Sequence, residues 1–216
     1  MVLQNRVDPF GEIHVHAARG LFTGNRGIIH DPATKTLLRK RWTNPAWIVC
    51  TLDLLPGRKP RDAMGFNREH GTAAGWTELF FLDEVTALAA GHRPCFFCQR
   101  ERAKLFVGYY ADAFHRVEPK AGELDRRLHA ERHASSRKPL PLISKADIAK
   151  LPDGAMIASG DQAYAVRGDK LLPWSFDGYG EPVVPAIITD PKLLTPPATV
   201  DILRAGYRPV WHASAA

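Results

Sequence analysis

Two of the three cysteines in this sequence lie close together, in the segment LAAGHRPCFFC at residues 88 to 98. Cys95 and Cys98 are three residues apart, and Arg93-Pro94 comes directly before them. A Cys-x-x-Cys pair on a tight turn can place two thiolates on one tetrahedral ion, and zinc is the usual ion where thiols stay reduced. The spacing therefore predicts a zinc site at this turn.

The same pair of cysteines has two other interpretations. A thioredoxin-like redox pair would stand at the start of a helix after a core strand, whereas this pair follows the predicted end of a helix. Alternatively, both cysteines could be buried as small apolar side chains with no chemistry. Because two cysteines are half of a tetrahedral site, the zinc interpretation requires further ligands elsewhere in the chain.

A short helix and a rigid turn are predicted to position the cysteine pair. Asp83 can cap the helix, Glu84 lies in its first turn, and Gly91 suits the left-handed position after its last turn. Pro94 stops the helix from continuing. A second helix is predicted from Gln99 onward. The predicted apolar stripe of this second helix comprises Leu105, Phe106, Tyr109, Tyr110 and Phe114.

The segment ELFFLDEVTALAAGHRPCFFCQRERAKLF resembles the zinc-binding module at the N-terminus of Ada-type DNA alkylation-repair regulators, from Glu78 to about Arg102. That module has a Phe-Phe strand, an acidic-capped helix ending in Ala-Leu-Ala-Ala-Gly, an aromatic residue and then Arg-Pro-Cys-x-x-Cys. In the family, four cysteines hold zinc, and one accepts a methyl group from a DNA phosphotriester. The resemblance implies that Cys95 and Cys98 are the downstream pair of zinc ligands.

The upstream pair of the family, a Cys-x-x-x-Cys at the end of a strand, is only half matched. Cys50 ends the predicted strand WIVC, but Leu54 stands where the second cysteine would be. His70, in a long charged loop, is our substitute because imidazole is a good zinc ligand. The predicted ligands are therefore Cys50, His70, Cys95 and Cys98. Burial of Cys50 as an apolar side chain and solvation of His70 are the alternatives.

Two pairs of histidines also have metal-binding spacing. His14 and His16 would share one face of a strand, and His129 and His133 are four residues apart on a predicted helix. Later ligands to complete a His-x-His site are not obvious, and the second pair lies in a strongly basic segment. We interpret the two pairs as an exposed strand face and a solvated helix.

Excess positive charge makes an anionic partner plausible, because the 216 residues carry a formal net charge of +6. Two short basic clusters are our candidates for contacts with DNA or RNA phosphates, and a third basic segment spans residues 125 to 139. The alternative is that these are unrelated solvated patches. The candidate residues are Arg39, Lys40, Arg41, Arg58, Lys59 and Arg61.

We expect an α+β fold of antiparallel strands with the helix-turn that carries the Cys-x-x-Cys site. Residues 1–115 are predicted to form a zinc-containing domain, 116–150 a charged helical connector, and 151–216 a small β-meander with a C-terminal helix. The sequence also contains a weak internal repeat. VTALAAGHRPCFF at 85–97 aligns with VDILRAGYRPVWH at 200–212, where Val210 and then Ala213 stand in place of the two cysteines.

The function predicted from the sequence is that of a zinc-binding protein that contacts nucleic acid, with zinc mainly structural. The alternatives are a metal-dependent hydrolase of a phosphate-containing substrate, a methyl acceptor that uses Cys50 or Cys95, and an interaction module that uses the C-terminal meander. A site with three protein ligands and a water would favour chemistry over structure. Apolar runs too short to span a bilayer and the lack of a signal-peptide pattern predict a cytoplasmic protein without a membrane partner.

Overall fold

The computed structural model describes residues 2–52, 62–67, 71–136 and 138–216. In these ranges the protein is a mixed α+β structure with six α-helices and thirteen short strands, which confirms the predicted fold class. None of the helices in the described ranges is long and apolar enough to cross a membrane. The helices are α1 Glu84–Ala89, α2 Arg100–Phe114, α3 Ala121–Glu131, α4 His133–Ser136, α5 Lys145–Ile148 and α6 Pro197–Ala205. The strands are β1 Gln4–Val7, β2 Ile13–Val15, β3 Phe22–Asn25, β4 His30–Asp31, β5 Thr36–Leu37, β6 Ile48–Thr51, β7 Leu79–Phe81, β8 Arg93–Pro94, β9 Met156–Ser159, β10 Gln162–Arg167, β11 Lys170–Ser175, β12 Gly178–Tyr179 and β13 Lys192–Leu193.

The N-terminal strands form a six-stranded sheet in the order β2-β1-β7-β3-β6-β8. Most neighbours in this sheet run antiparallel, as predicted, but β1 pairs with β7 and β6 pairs with β8 in parallel. The second parallel pair arises because the chain leaves α1 in the direction of β6 and lies beside it for two residues. This pairing places the turn after β8 next to the end of β6.

The C-terminal strands form a five-stranded antiparallel sheet in the order β12-β11-β10-β9-β13. Strands β9, β10 and β11 follow one another through tight turns, as the meander prediction requires. Gly160 and Gly168 occupy these turns with φ values of 58° and 57°, which favour glycine because a side chain is strained there. The meander expected in this part of the chain is present.

Helix α1 has the ends predicted from its sequence. The side chain of Asp83 accepts a hydrogen bond of 2.8 Å from the backbone N–H of Thr86, and Gly91 follows the helix with a φ of 82°. All six residues of α1 are buried. The helix is too short to be stable alone, so burial and its caps must hold it in place.

Helix α2 differs from its predicted apolar stripe at one position. Ala103, Phe106 and Tyr110 are buried, but the Leu105 side chain is 56% exposed. The buried residues follow the spacing of three and four that defines one helical face, and Leu105 lies about 100° from Phe106 around the axis. The prediction for Leu105 was therefore wrong, because apolar character alone did not reveal which face meets the core.

One hydrophobic cluster contains side chains from all three predicted segments. Leu88 and Phe106 come from the first segment, Leu124 from the second, and Ile157 and Leu203 from the third. The helix α3, which contains Leu124, therefore packs in the core instead of standing apart as a purely solvated element. The segment boundaries at residues 115 and 150 stay a prediction.

Candidate metal centre

The three cysteines come together at one end of the six-stranded sheet. Cys50 lies on β6, Cys95 follows β8, and Cys98 lies one turn further along the chain. Their sulfur atoms all lie within 4.8 Å of one another. The parallel pairing of β6 with β8 produces this meeting, since the N–H of Cys95 donates a 3.0 Å hydrogen bond to the carbonyl of Val49. The three side chains form a group that could hold a metal ion.

Hydrogen bonds fix the turn that carries Cys95. The N–H of Phe97 donates to the Sγ atom of Cys95 at 3.4 Å, and the N–H of Gln99 donates to the Cys95 carbonyl at 2.9 Å. The side-chain amide of Gln99 also donates to the carbonyl of Val49 at 2.8 Å, which ties the turn to β6. An N–H directed at a sulfur favours the thiolate, which is the form that binds a metal.

The three thiols are crowded enough to share protons. Hydrogen bonds from Cys50 and Cys98 lower the pKa of Cys95 to about 2, and hydrogen bonds to Cys95 and Cys98 raise the pKa of Cys50. Cys95 is buried, while Cys50 and Cys98 are partly buried. These opposite shifts favour ionisation of Cys95 over that of Cys50. A divalent cation would replace the shared protons and allow all three sulfurs to ionise.

The donor set fits zinc. Tetrahedral Zn–S bonds of about 2.3 Å put sulfur atoms about 3.8 Å apart, so the observed limit of 4.8 Å requires only a small contraction. Sulfur donors also select zinc over magnesium or calcium, which prefer oxygen. His70, the predicted fourth ligand, lies outside the described residues. Within the described ranges, the cysteines are the one group of three or more histidine, cysteine or carboxylate residues with this geometry.

The two histidine pairs have other partners. The Nε2 atom of His14 lies 2.8 Å from a carboxylate oxygen of Asp8, and the ring of His16 stacks on Phe176 at 4.7 Å. His129 meets the edge of Trp42 at 4.5 Å between ring centroids. Neither pair belongs to a three-residue metal group in the described part of the chain.

The basic residues predicted to contact nucleic acid fall in two parts of the chain. Arg39, Lys40 and Arg41 are exposed on the segment between β5 and β6. Arg58, Lys59 and Arg61 lie outside the described residues. The third basic segment, at 125–139, is not uniformly solvated, because Arg132 is only 2% exposed.

A buried cationic group surrounds Trp47 and was not predicted from the sequence. The guanidinium carbons of Arg26 and Arg132 lie 3.8 and 4.2 Å from the centre of the Trp47 ring system. The Nε atom of Arg26 donates to Nε2 of the fully buried His92 at 3.3 Å. These residues come from separate segments of the chain, and no motif in the sequence joins them. Only their packing in the fold reveals the group.

Compared with known proteins, the chain matches no family model, no curated protein and no solved structure. The case for a metal centre therefore depends on the geometry of the three cysteines. The resemblance of residues 78 to 102 to the Ada-type module stays a prediction.

Proposed function

We propose that the protein binds one zinc ion through Cys50, Cys95 and Cys98 and contacts nucleic acid, with zinc mainly structural. The convergence of three sulfur atoms from β6 and from the turn after β8 is the observation that carries this proposal. Three cysteines rarely meet by chance in a chain that contains only three. The net charge of +6 and the Ada-type resemblance support the nucleic-acid partner.

Zinc at this position would cross-link two elements that are otherwise joined by few hydrogen bonds. Strand β8 has two residues, so its pairing with β6 is short. Bonds from one ion to Cys50 and to Cys95 and Cys98 would hold the start of α2 against the sheet. A fourth protein ligand, for which His70 is our candidate, would close the site as is typical of structural zinc.

Metal content and thiol accessibility test the zinc part of this proposal. We expect about one zinc per chain after purification without chelator, and thiols that react only after zinc is removed. Replacing Cys50, Cys95 or Cys98 with serine should each abolish stoichiometric zinc binding. His70→Ala should lower zinc affinity, whereas His16→Ala, which removes a histidine far along the chain from the cysteines, should leave it unchanged. Metal-free protein with freely reacting thiols would contradict the proposal.

Methyl transfer to Cys50 is a second candidate function, favoured by the partial exposure of this residue near the end of β6. The Cys50 thiolate would attack the methyl carbon of a DNA methylphosphotriester, the methyl C–O bond would break, and the phosphodiester would leave as an anion. Zinc held by the three cysteines would keep this thiolate ionised. Mass spectrometry after incubation with a methylphosphotriester oligonucleotide should find one added methyl group on Cys50 and none in Cys50→Ser. An unchanged mass for the zinc-loaded protein would eliminate this activity.

A further inference from the structure

An open groove lies beside the exposed basic segment of residues 39–41. It is lined by residues 27–28 and 43–45 together with Lys40 and Trp76. Its volume is about 460 Å³, which lies within the range of sites that bind small molecules or single groups of a larger ligand. The groove is therefore large enough for a flat aromatic ring.

Trp76, which lines the groove, is unusually exposed to solvent for a tryptophan. Its side chain is 53% exposed, although tryptophan gains more than most residues from burial. An exposed indole that lines a groove is a ready surface for stacking a planar ring. Ile28, which also lines the groove and is 39% exposed, adds a second apolar contact.

Two buried arginines lie directly behind the groove. The carbonyl of Arg26 accepts hydrogen bonds from the backbone N–H groups of Thr43 and Asn44, and Nη2 of Arg132 donates to the carbonyl of Pro45 at 2.9 Å. The Arg132 guanidinium thus contacts a residue that lines the groove. The Arg26 guanidinium stacks with it on Trp47, two residues after Pro45 in the chain.

The charges of these two arginines are partly compensated at a distance, by Asp8 and Glu12 for Arg26 and by Asp125 for Arg132. Within the described residues, neither guanidinium lies within ion-pair distance of a carboxylate, and Asp125 pairs with Arg93 instead. One amino group of each arginine, Nη2 of Arg26 and Nη1 of Arg132, also has no hydrogen-bond partner among the described residues. Burial lowers the pKa of both side chains to about 9, so both stay protonated at neutral pH. Buried charges are weakly screened, so their field reaches the groove.

We propose that this groove binds single-stranded nucleic acid, with an unpaired base stacked on Trp76 and a neighbouring phosphate at Lys40. The inference rests on the proposed nucleic-acid function and assigns it a site. An aromatic platform beside positive charge is the combination that binds single strands, because each base has a flat face and each nucleotide carries a negative charge. A duplex hides its base faces within the stack, so Trp76 distinguishes single strands from duplexes.

Fluorescence anisotropy with the full-length, zinc-loaded protein tests this site. The probes are a labelled oligothymidylate of about 12 nucleotides and a duplex of equal length, each over a range of salt concentrations. We expect Trp76→Ala to weaken single-strand binding by about tenfold, as the loss of one stacked base predicts, and to leave duplex binding unchanged. Trp76→Phe should retain most of the affinity because it keeps a stacking ring.

Matched variants separate the groove from general charge and from folding. Trp42→Ala removes another exposed tryptophan from the same region but outside the groove, and it should bind oligothymidylate like the wild type. Lys40→Ala should lower the magnitude of the slope of log affinity against log salt concentration by about one, because one phosphate contact is lost. Lys170→Ala, in the other sheet, should leave this slope unchanged. Circular dichroism spectra of these surface variants should match that of the wild type.

Three results would overturn the inference in distinguishable ways. If the wild type binds oligothymidylate and Trp76→Ala binds it equally well, the groove is not the site, although the nucleic-acid function survives. If the wild type binds neither probe at low salt, the nucleic-acid function itself fails. Polyglutamate, an anion without bases, is a competitor for the oligonucleotide. If it displaces the oligonucleotide equally from the wild type and from Trp76→Ala, charge alone attracts the probe and the base site is eliminated.

Discussion

Residues 85–97 and 200–212 form two copies of one helix-turn that contact different parts of the protein. Each helix ends before a glycine with positive φ, 82° at Gly91 and 130° at Gly206. A ring residue, an arginine and a proline follow in both copies. The common residues therefore set a common shape, in which the chain turns sharply after a short helix and leaves in an extended conformation.

The two copies differ in what their exit segments meet. In the first copy the exit is β8, which lies beside β6 and brings Cys95 to Cys50. In the second copy the exit meets the start of α1, where the N–H of Val210 donates to the Glu84 carboxylate at 2.8 Å and the N–H of Glu84 donates to the Val210 carbonyl at 3.1 Å. The shape is local, but the role depends on the neighbour. Beside a strand that carries a thiol, the exit completes a cysteine group that could hold a metal ion; beside the carboxylate at the start of α1, it forms a docking contact.

The largest effect is expected from breaking the docking contact of the second copy at Glu84. This fully buried carboxylate accepts hydrogen bonds from the Tyr207 hydroxyl, the Arg102 guanidinium and the Val210 N–H. Glu84→Ala would leave all three donors without this acceptor, so we expect the free energy of unfolding to fall by about 3 kcal/mol. Urea denaturation monitored by circular dichroism measures this loss.

Glu101→Ala is the matched control for Glu84→Ala. Glu101 is also a first-turn glutamate, on α2, but its side chain is 79% exposed and it forms a surface ion pair with Lys104. We expect this variant to lose less than about 0.5 kcal/mol. A loss below about 1 kcal/mol for Glu84→Ala would mean that the second copy stays docked through its apolar contacts alone.

The ring residues of the two copies should give them different responses to acid. Burial, followed by the charges of Arg26 and Arg132, holds the pKa of His92 well below its ordinary value, whereas burial beside Glu84 raises the pKa of Tyr207. Below pH about 6.5 the unfolded chain therefore takes up a proton at His92 that the folded chain does not. The free energy of unfolding should fall by up to about 1.4 kcal/mol per pH unit from this residue, until the lowered pKa is reached.

Comparison with His92→Gln isolates this contribution, because the amide oxygen can still accept the hydrogen bond from Arg26 and the cysteines are unchanged. Urea denaturation of both proteins at pH about 7 and about 5.5 gives the slope of the free energy of unfolding against pH for each protein. We expect the wild type to lose more stability than the variant over this interval. Equal slopes would mean that His92 gains a proton in the folded protein as easily as in the unfolded chain.

The sequence was most informative where a structure depends on near neighbours. The caps of α1 at Asp83 and Gly91 were predicted correctly because each acts within one turn of the helix. The prediction that Cys50 approaches Cys95 came from the resemblance to the Ada-type module, whose upstream ligands end a preceding strand. The sequence did not indicate that this approach would use a parallel pair of strands.

Features assembled from distant segments could not be predicted in the same way. Arg26, Trp47 and Arg132 stack together although no pattern in the chain connects them. Trp76 and Lys40 likewise line one groove although they are 36 residues apart in the chain. The charges of 125–139 misled us for a related reason, because charge alone does not reveal that Arg132 is buried against an aromatic ring. Long-range packing decides all of these positions.

The smallest effect is expected when the second copy receives the cysteines of the first. Val210→Cys with Ala213→Cys recreates the Cys-x-x-Cys spacing, and both positions tolerate the change because Val210 is 38% exposed and Ala213 is exposed. The exit segment there faces Glu84 instead of a strand that carries a thiol. Two thiolates are half of a tetrahedral site, so elemental analysis should still find about one zinc per chain. A second equivalent of zinc would show that the helix-turn alone suffices for a site and that Cys50 is dispensable to the first.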